Sequence, residues 1–248
     1  MTLRRFPDGV EGGSFYEKNC PQHRPDWVET HPVPVDDGTI EFCRLDSLPA
    51  LVWSANLAAL ELHAPMARAA DPDAPTMVVF DLDPGEPADI LDCAEIALWV
   101  RHVLGDLDLS CVVKTSGSKG LQVYLPINGP ITHKAAADFA RTIAQVMEQQ
   151  HPDRIVSQQR KALRAGKVLI DWSQNSRHKT TACVYSLRAR PRPTVSTPLS
   201  WDEVDVALRA GDRGALSFEA PQVLERITDV GDLFAPALEL CQELPALA

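Results

Sequence analysis

The chain has 248 residues, 45 % hydrophobic and 23 % charged, with a net charge of −10; those proportions exclude wholesale disorder. No apolar run approaches the roughly 18–20 residues a membrane-spanning helix needs, so no membrane association is expected. Met1–Phe6 has no apolar stretch behind its two arginines, which excludes a secretory signal, and six scattered cysteines without a C-x-x-C pair point to free thiols in a reducing cytoplasm.

Residues 1–70 read as short strands and one helix. Trp27–Val35 and Thr39–Arg44 flank an Asp36-Asp37-Gly38 turn and predict a hairpin. Over Ser47–Leu60 the apolar residues Leu48, Leu51, Val52 and Ala55 recur at helical spacing, and Leu60–His63 reads as a strand closed by Pro65. Met77–Asp83 (MVVFDLD) is a β-rich apolar run, followed by a helix over Pro87–Leu107. Two strands, Ser110–Thr115 and Leu121–Pro126, bracket Ser116-Gly117-Ser118-Lys119-Gly120. His133–Gln150 gives a second helix and Lys167–Trp172 a last strand.

The order over 71–175 is β-α-β-β-α-β, the split βαβ of ferredoxin-like and RRM-like folds, and the class is α+β. Right-handed crossovers set the last strand beside the first, on the sheet edge away from the second. They also put the loop between strands two and three at the end where strand one finishes. Farther on, Arg188–Pro198 is a basic, proline-rich extended stretch. Ser200 and Glu203 form a capping box for a short helix, and Gln222–Val230 reads as another. One domain over 1–248 is expected: an N-terminal α/β module (1–70), the RRM-like core (71–175), and a basic segment with C-terminal helices (176–248).

Asp81 and Asp83 stand two apart on an apolar strand and share a face, with Leu82 turned to the core. Such a pair costs free energy unless a cation neutralises it, and hard ions such as Mg²⁺ or Mn²⁺ want oxygen ligands. The bland reading is an acid pair capping the Asp-Pro-Gly turn. Asp171 ends the strand expected alongside. Three carboxylates on adjacent strands scaffold a two-metal phosphoryl-transfer site, unless Asp171 merely opens the turn after it. In Ser116–Gly120 two glycines let N–H groups approach phosphate oxygens, while hydroxyls and Lys119 add donors and charge. Its spacing is not that of a P-loop. His63 ends the strand before the D-x-D run. From Arg154 to Arg192 ten Lys/Arg stand against one acid, Asp171, a basic stripe that points to an anionic ligand such as nucleic acid.

The motifs FDLDPG (80–85), TSGSKG (115–120) and LRAGKVLIDWSQNS (163–176) are joined by YSLRARP (185–191), TVSTPLSW (194–201), FPDG (6–9) and FYEKN (15–19). Together they resemble the polymerase domain of the bacterial non-homologous end-joining ligase, a member of the archaeo-eukaryotic primase superfamily. The resemblance covers nearly the whole chain. It implies a primase-polymerase that uses two Mn²⁺ or Mg²⁺ ions to add NTPs, ribonucleotides preferred, or dNTPs to primers at gaps and double-strand-break ends. Ku and a DNA ligase are the partners it implies. Asp81, Asp83 and Asp171 would hold the metals, and Ser116, Lys119, Arg164 and Arg188 the nucleotide phosphates. His63 matches a histidine beside the active site. Phe15 and Tyr16 match an aromatic pair that stacks on template bases, with Arg4 and Arg5 on the DNA path.

Two departures stand out. The family's leader, with its basic residues for a 5′-phosphate, does not precede the Arg4–Gly9 segment, so that pocket is expected to be absent or built otherwise. The family motif usually reads S-G-x-K-G-L-H with a histidine on the triphosphate; here the position is Gln122, expected to keep a weakened phosphate contact. A catalytically weak DNA-end binding module and a metal-dependent phosphodiesterase are the alternatives.

Overall fold

A computed structural model describes residues 1–35 and 38–245. The chain opens with strands β1 (Thr2–Arg5), β2 (Phe15–Glu17), β3 (Thr30–Val35) and β4 (Gly38–Cys43), then helix α1 (Leu48–Asn56) and strands β5 (Ala59–Pro65), β6 (Ala67–Arg68) and β7 (Asp71–Pro75). The middle holds β8 (Met77–Pro84), α2 (Ile90–Gly105), β9 (Val112–Thr115), β10 (Leu121–Pro126), α3 (His133–Gln150), β11 (Ile155–Val156) and β12 (Val168–Asp171). The rest comprises β13 (Thr180–Ala182), β14 (Pro198–Leu199), α4 (Trp201–Ala210), α5 (Ala220–Val230) and α6 (Pro236–Glu239). Among the described residues no helix is long and apolar enough to cross a membrane.

The expected βαββαβ core is present. Its strands run β12-β8-β10-β9 within a six-stranded sheet, with β12 antiparallel to β8. The last strand is not the edge, however: β11 pairs parallel to β12 beyond it, and β14 lines the far side of β9. These two-residue strands carry too little pattern to be read from sequence. The N-terminal module is a separate four-stranded sheet, β13-β5-β1-β2, which borrows β13 from far down the chain. The β3–β4 hairpin forms as expected, although residues 36 and 37 of its turn lie outside the described residues.

Alternation along β8 divides the molecule. Val78, Phe80 and Leu82 face α2 and α3 in the main core, all fully buried. Val79 turns to the opposite face, into a small cluster with Tyr124 and Phe234, and Asp81 and Asp83 follow it there. The helices start where side chains supply the missing acceptors. Asp89 and Asp92 box the start of α2, which therefore begins three residues after Pro87, and Ser200 with Glu203 does the same for α4.

One expectation fails. Cys20 and Cys43 form a disulfide, while Cys93, Cys111, Cys183 and Cys241 are free. The Cys20 amide donates to Glu41 O at 2.6 Å, which draws the segment after β2 against β4 and brings the two Cα atoms to 4.8 Å. A separation of 23 residues carries no sequence signal for such a contact.

Candidate active site

The strand register assembles the acidic group. Asp171 on β12 pairs directly with Asp81 on β8, and Asp81 pairs on its other side with Gln122 on β10. Gln122 in turn pairs with Lys114 on β9. A polar row, Asp171–Asp81–Gln122–Lys114, thus crosses four strands on the face away from the helices. Asp83, two residues along, keeps access to solvent.

Burial and then the charge of Asp83 push the Asp81 carboxyl up to about 7, against the hydrogen bond it accepts from Gln122. Asp83 is raised by burial and by Asp171, while Arg164 and Arg188 oppose the rise. Asp171 is buried and well supplied: Ser173 N, Ser173 Oγ and Gln159 Nε2 donate to its Oδ1, and Gln174 Nε2 to its Oδ2. It therefore caps the short helical turn 172–175, as the bland reading held, and also faces Asp81. By contrast Asp81 accepts only from Gln122, at Oδ1 and 3.0 Å, and Asp83 accepts no hydrogen bond among the described residues. Among the described residues no three His, Cys, Asp or Glu side chains already converge as a cage for an ion. The donor set nevertheless fits hard divalent cations: mutually repelling carboxylates, with three oxygens on Asp81 and Asp83 left without protein donors.

Loops close on this acidic patch because two glycines permit it. A Cβ on Gly120 would meet Leu82 O at 1.9 Å, so the 116–120 loop lies flat on the D-x-D strand. A Cβ on Gly85 would meet Arg164 O at 1.9 Å, which brings the Arg164 turn beside the same strand. Ser116 Oγ accepts from the amides of Ser118 and Gly120, and Ser116 O accepts from Arg188 Nη1 at 2.6 Å. Lys119 is exposed and pairs with Glu86 at 2.9 Å. The Nε atoms of Arg164 and Arg188 are buried without a hydrogen-bond partner; the nearest acid to Arg188 Nε, Glu61 Oε2, is at ion-pair range, 3.4 Å.

The remaining expected residues gather on the four-stranded sheet. Arg4 and Arg5 on β1 pair with Tyr16 and Phe15 on β2 and place guanidinium groups over those rings. The aromatic pair is 57 % and 45 % exposed, free to meet a flat partner. His63 packs edge-on to Tyr16 and reaches Glu61 at 3.2 Å.

Two corrections concern charge and Gln122. The basic stretch 154–192 is not one face: Arg154 binds Asp92 and Glu95 on α2, Arg177 binds Asp73, Arg192 binds Glu219, and of the stretch only Arg164 and Arg188 act on Asp83. Gln122 is buried and turned to Asp81 rather than to the 116–120 loop.

Two buried charged residues beside the site were not anticipated. Glu61 accepts from Arg4 Nη1 and Ala189 N, with His63 and Arg188 beside it. Burial would raise its pKa, but these partners hold it down at about 2. Glu61 and His63 stand two apart on a strand, the same pattern that marked Asp81 and Asp83. Lys114 is the other; burial lowers it to about 7, against the pull of Asp81. Its position mirrors Gln122 across the 116–120 hairpin.

The primase-polymerase domain of LigD, as a family, matches residues 1–234. The multifunctional non-homologous end joining protein LigD of Mycolicibacterium smegmatis is 42 % identical over 239 residues, covering 95 % of this chain and 30 % of that protein. The bifunctional LigD of Bacillus subtilis is 30 % identical over 232 residues, covering 93 % and 36 %. This chain thus spans about a third of the length of the curated relatives it matches. The solved polymerase domain of Mycobacterium tuberculosis ligase D in complex with DNA superposes with a TM-score of 0.88 at 39 % identity, covering 97 % of this chain and 85 % of that one. The mixed α+β architecture is that of the solved domain, and the chain belongs to the LigD primase-polymerase domain family.

Proposed function

We propose that this chain is a template-dependent nucleotidyltransferase that extends DNA or RNA primers with NTPs, ribonucleotides preferred, to fill gaps during end-joining repair of double-strand breaks. The observation that carries this reading is the under-compensated acid pair Asp81 and Asp83, with Asp171 paired across from Asp81. Asp81, Asp83 and Asp171 would hold two Mn²⁺ or Mg²⁺ ions. When bound, such ions acidify a primer 3′-hydroxyl and balance charge on the transferred phosphate.

The protein's own groups do the rest. Two buried guanidinium N–H groups without hydrogen-bond partners, on Arg164 and on Arg188, the latter at ion-pair range of Glu61, suit an arriving polyanion. Ser116 shapes a loop in which backbone amides and Lys119 would hold the triphosphate, once Lys119 leaves Glu86. Phe15 and Tyr16 would stack on template bases, which is tolerant of sequence, with Arg4 and Arg5 beneath them. His63 would stand between that platform and the nucleotide. A relative was solved with DNA bound, which favours DNA as the macromolecular partner here. Ku and a ligase activity are proposed partners from the repair context of the relatives.

Incubation with labelled primer-template, Mn²⁺ and NTPs or dNTPs tests the reading. Extension that is faster with NTPs and lost in Asp81→Asn supports it. Binding without extension would favour a DNA-end binding module, and shortening a phosphodiesterase.

A further inference from the structure

Lys114 has no part in the chemistry just proposed, yet it is the most deeply placed charge on the sheet face, 1 % exposed. Its ammonium donates three hydrogen bonds: to Gln122 Oε1 at 2.5 Å, Ser196 Oγ at 2.6 Å and Ala182 O at 3.1 Å. Three acceptors match the three donors of a protonated amine. Ser196 spends its own proton on Thr115 O, which leaves a lone pair for Lys114.

Gln122 stands between Lys114 and Asp81. Its amide oxygen accepts from Lys114 and from the Tyr124 hydroxyl at 3.2 Å, and its amide nitrogen donates to Asp81 Oδ1 at 3.0 Å. Rotating that amide by half a turn would set NH₂ against the ammonium and a carbonyl oxygen against the carboxylate. Both contacts would become repulsive. The cation therefore decides which end of Gln122 meets Asp81. With Oδ1 held, Asp81 Oδ2 accepts no hydrogen bond among the described residues, and it is not among the buried polar atoms left without a partner.

We propose that Lys114 and Gln122 act as one positioning unit, in which the buried ammonium locks the Gln122 amide so that Asp81 is held by one oxygen and offers the other to a divalent cation. The inference rests on reading Asp81 as a cation ligand. It makes Gln122 a substitute anchor rather than a weakened phosphate contact. It also ties the segments carrying Ala182 and Ser196 to the acidic centre, although neither touches it.

A double-substitution cycle, read by two measurements on the protein without nucleotide, tests this. Manganese affinity is followed by the electron paramagnetic resonance signal of free Mn²⁺, and folding by the melting temperature. Removing a group that orients a metal ligand typically weakens metal binding about tenfold or more. Lys114→Met, Gln122→Leu and the double variant should each show that loss, without the two losses multiplying. Gln122→Leu should also melt lower, since it strips an acceptor from a buried ammonium, and the double variant should recover the melting temperature without recovering the affinity. That split separates positioning from mere packing. If one single variant does not fold, the double variant, which leaves no buried ammonium without its acceptor, still reports the affinity.

Unchanged affinity in the double variant, or losses that multiply, would overturn the unit. If wild type binds Mn²⁺ and Asp81→Asn abolishes that binding, such a result overturns this inference alone. If Asp81→Asn leaves Mn²⁺ binding intact, the reading of Asp81 as a ligand falls and the inference with it.

Discussion

Asp81 and Glu61 are both carboxylates drawn inward on a strand, each with a second polar group two residues along, and they reach opposite electrostatic states. Glu61 is surrounded by donors from Arg4, His63 and Ala189, with Arg188 at ion-pair range, and sits at about 2. Asp81 faces two further acids and one amide, with a weaker pull from Lys114, and sits at about 7. The Glu61 centre is closed, since its protein partners already offset the desolvation of the charge. The Asp81 centre is open, and a buried acid cluster left short of positive charge is a candidate place for charge supplied from outside.

The largest expected effect breaks the open centre. Asp81→Asn or Asp83→Asn should lower primer extension by at least about 100-fold, more than roughly 2.7 kcal/mol of barrier, while DNA affinity stays within about twofold. Single-turnover extension and fluorescence anisotropy check the two halves. Retention of more than about a tenth of the rate would sink the assignment.

Breaking the closed centre should injure stability first. The folded pKa of Glu61 lies below its ordinary 4.5, so its stabilisation is full above pH 4.5 and is lost as pH falls toward 2. Glu61→Gln should lower the melting temperature at pH 7 and flatten its fall between pH 4.5 and 2.5. An unchanged acid limb would mean that Glu61 is not the closed centre described.

Smaller effects belong to the rim. If Lys119 holds the triphosphate as proposed, Lys119→Ala should raise the KM for NTP several-fold, about 1 kcal/mol, with kcat nearly unchanged. A fall in kcat alone, at constant KM, would place Lys119 elsewhere in the cycle. The smallest effect should appear in salt dependence. Arg190 leans on Ser118 at the loop, whereas Arg154 is spent on Asp92 and Glu95. Replacing Arg190 by alanine should reduce the slope of log K against log salt for DNA by about one; the same change at Arg154 should leave it unaltered. Equal slopes in both would show that the basic stretch is not divided as the ion pairs indicate.

Much of the core could be read in the sequence because it rests on alternation and on a handful of caps. The MVVFDLD run, the two long helices and the hairpin around residues 116–120 each carry a strong local period, and the shared face of Asp81 and Asp83 follows from that period alone. What escaped depends on contacts distant in sequence. Lys114 reads as the polar end of a strand until Ser196, 82 residues on, is folded against it. Cys20 meets Cys43 only through the backbone pairing at Glu41. The division of the basic stretch follows from acids on α2 and β7, which no local pattern assigns. Glu61 lay within reach, because the E-x-H on β5 repeats the D-x-D argument.

The most direct test of the open centre is anomalous diffraction from crystals of the protein soaked in Mn²⁺. Manganese peaks are expected within coordination distance of Asp81 Oδ2 and a carboxylate oxygen of Asp83, absent in Asp81→Asn crystals treated alike. Saturating Mn²⁺ that leaves these oxygens without a peak, or a peak that survives Asp81→Asn unchanged, would contradict the claim that the open centre is completed by a divalent cation.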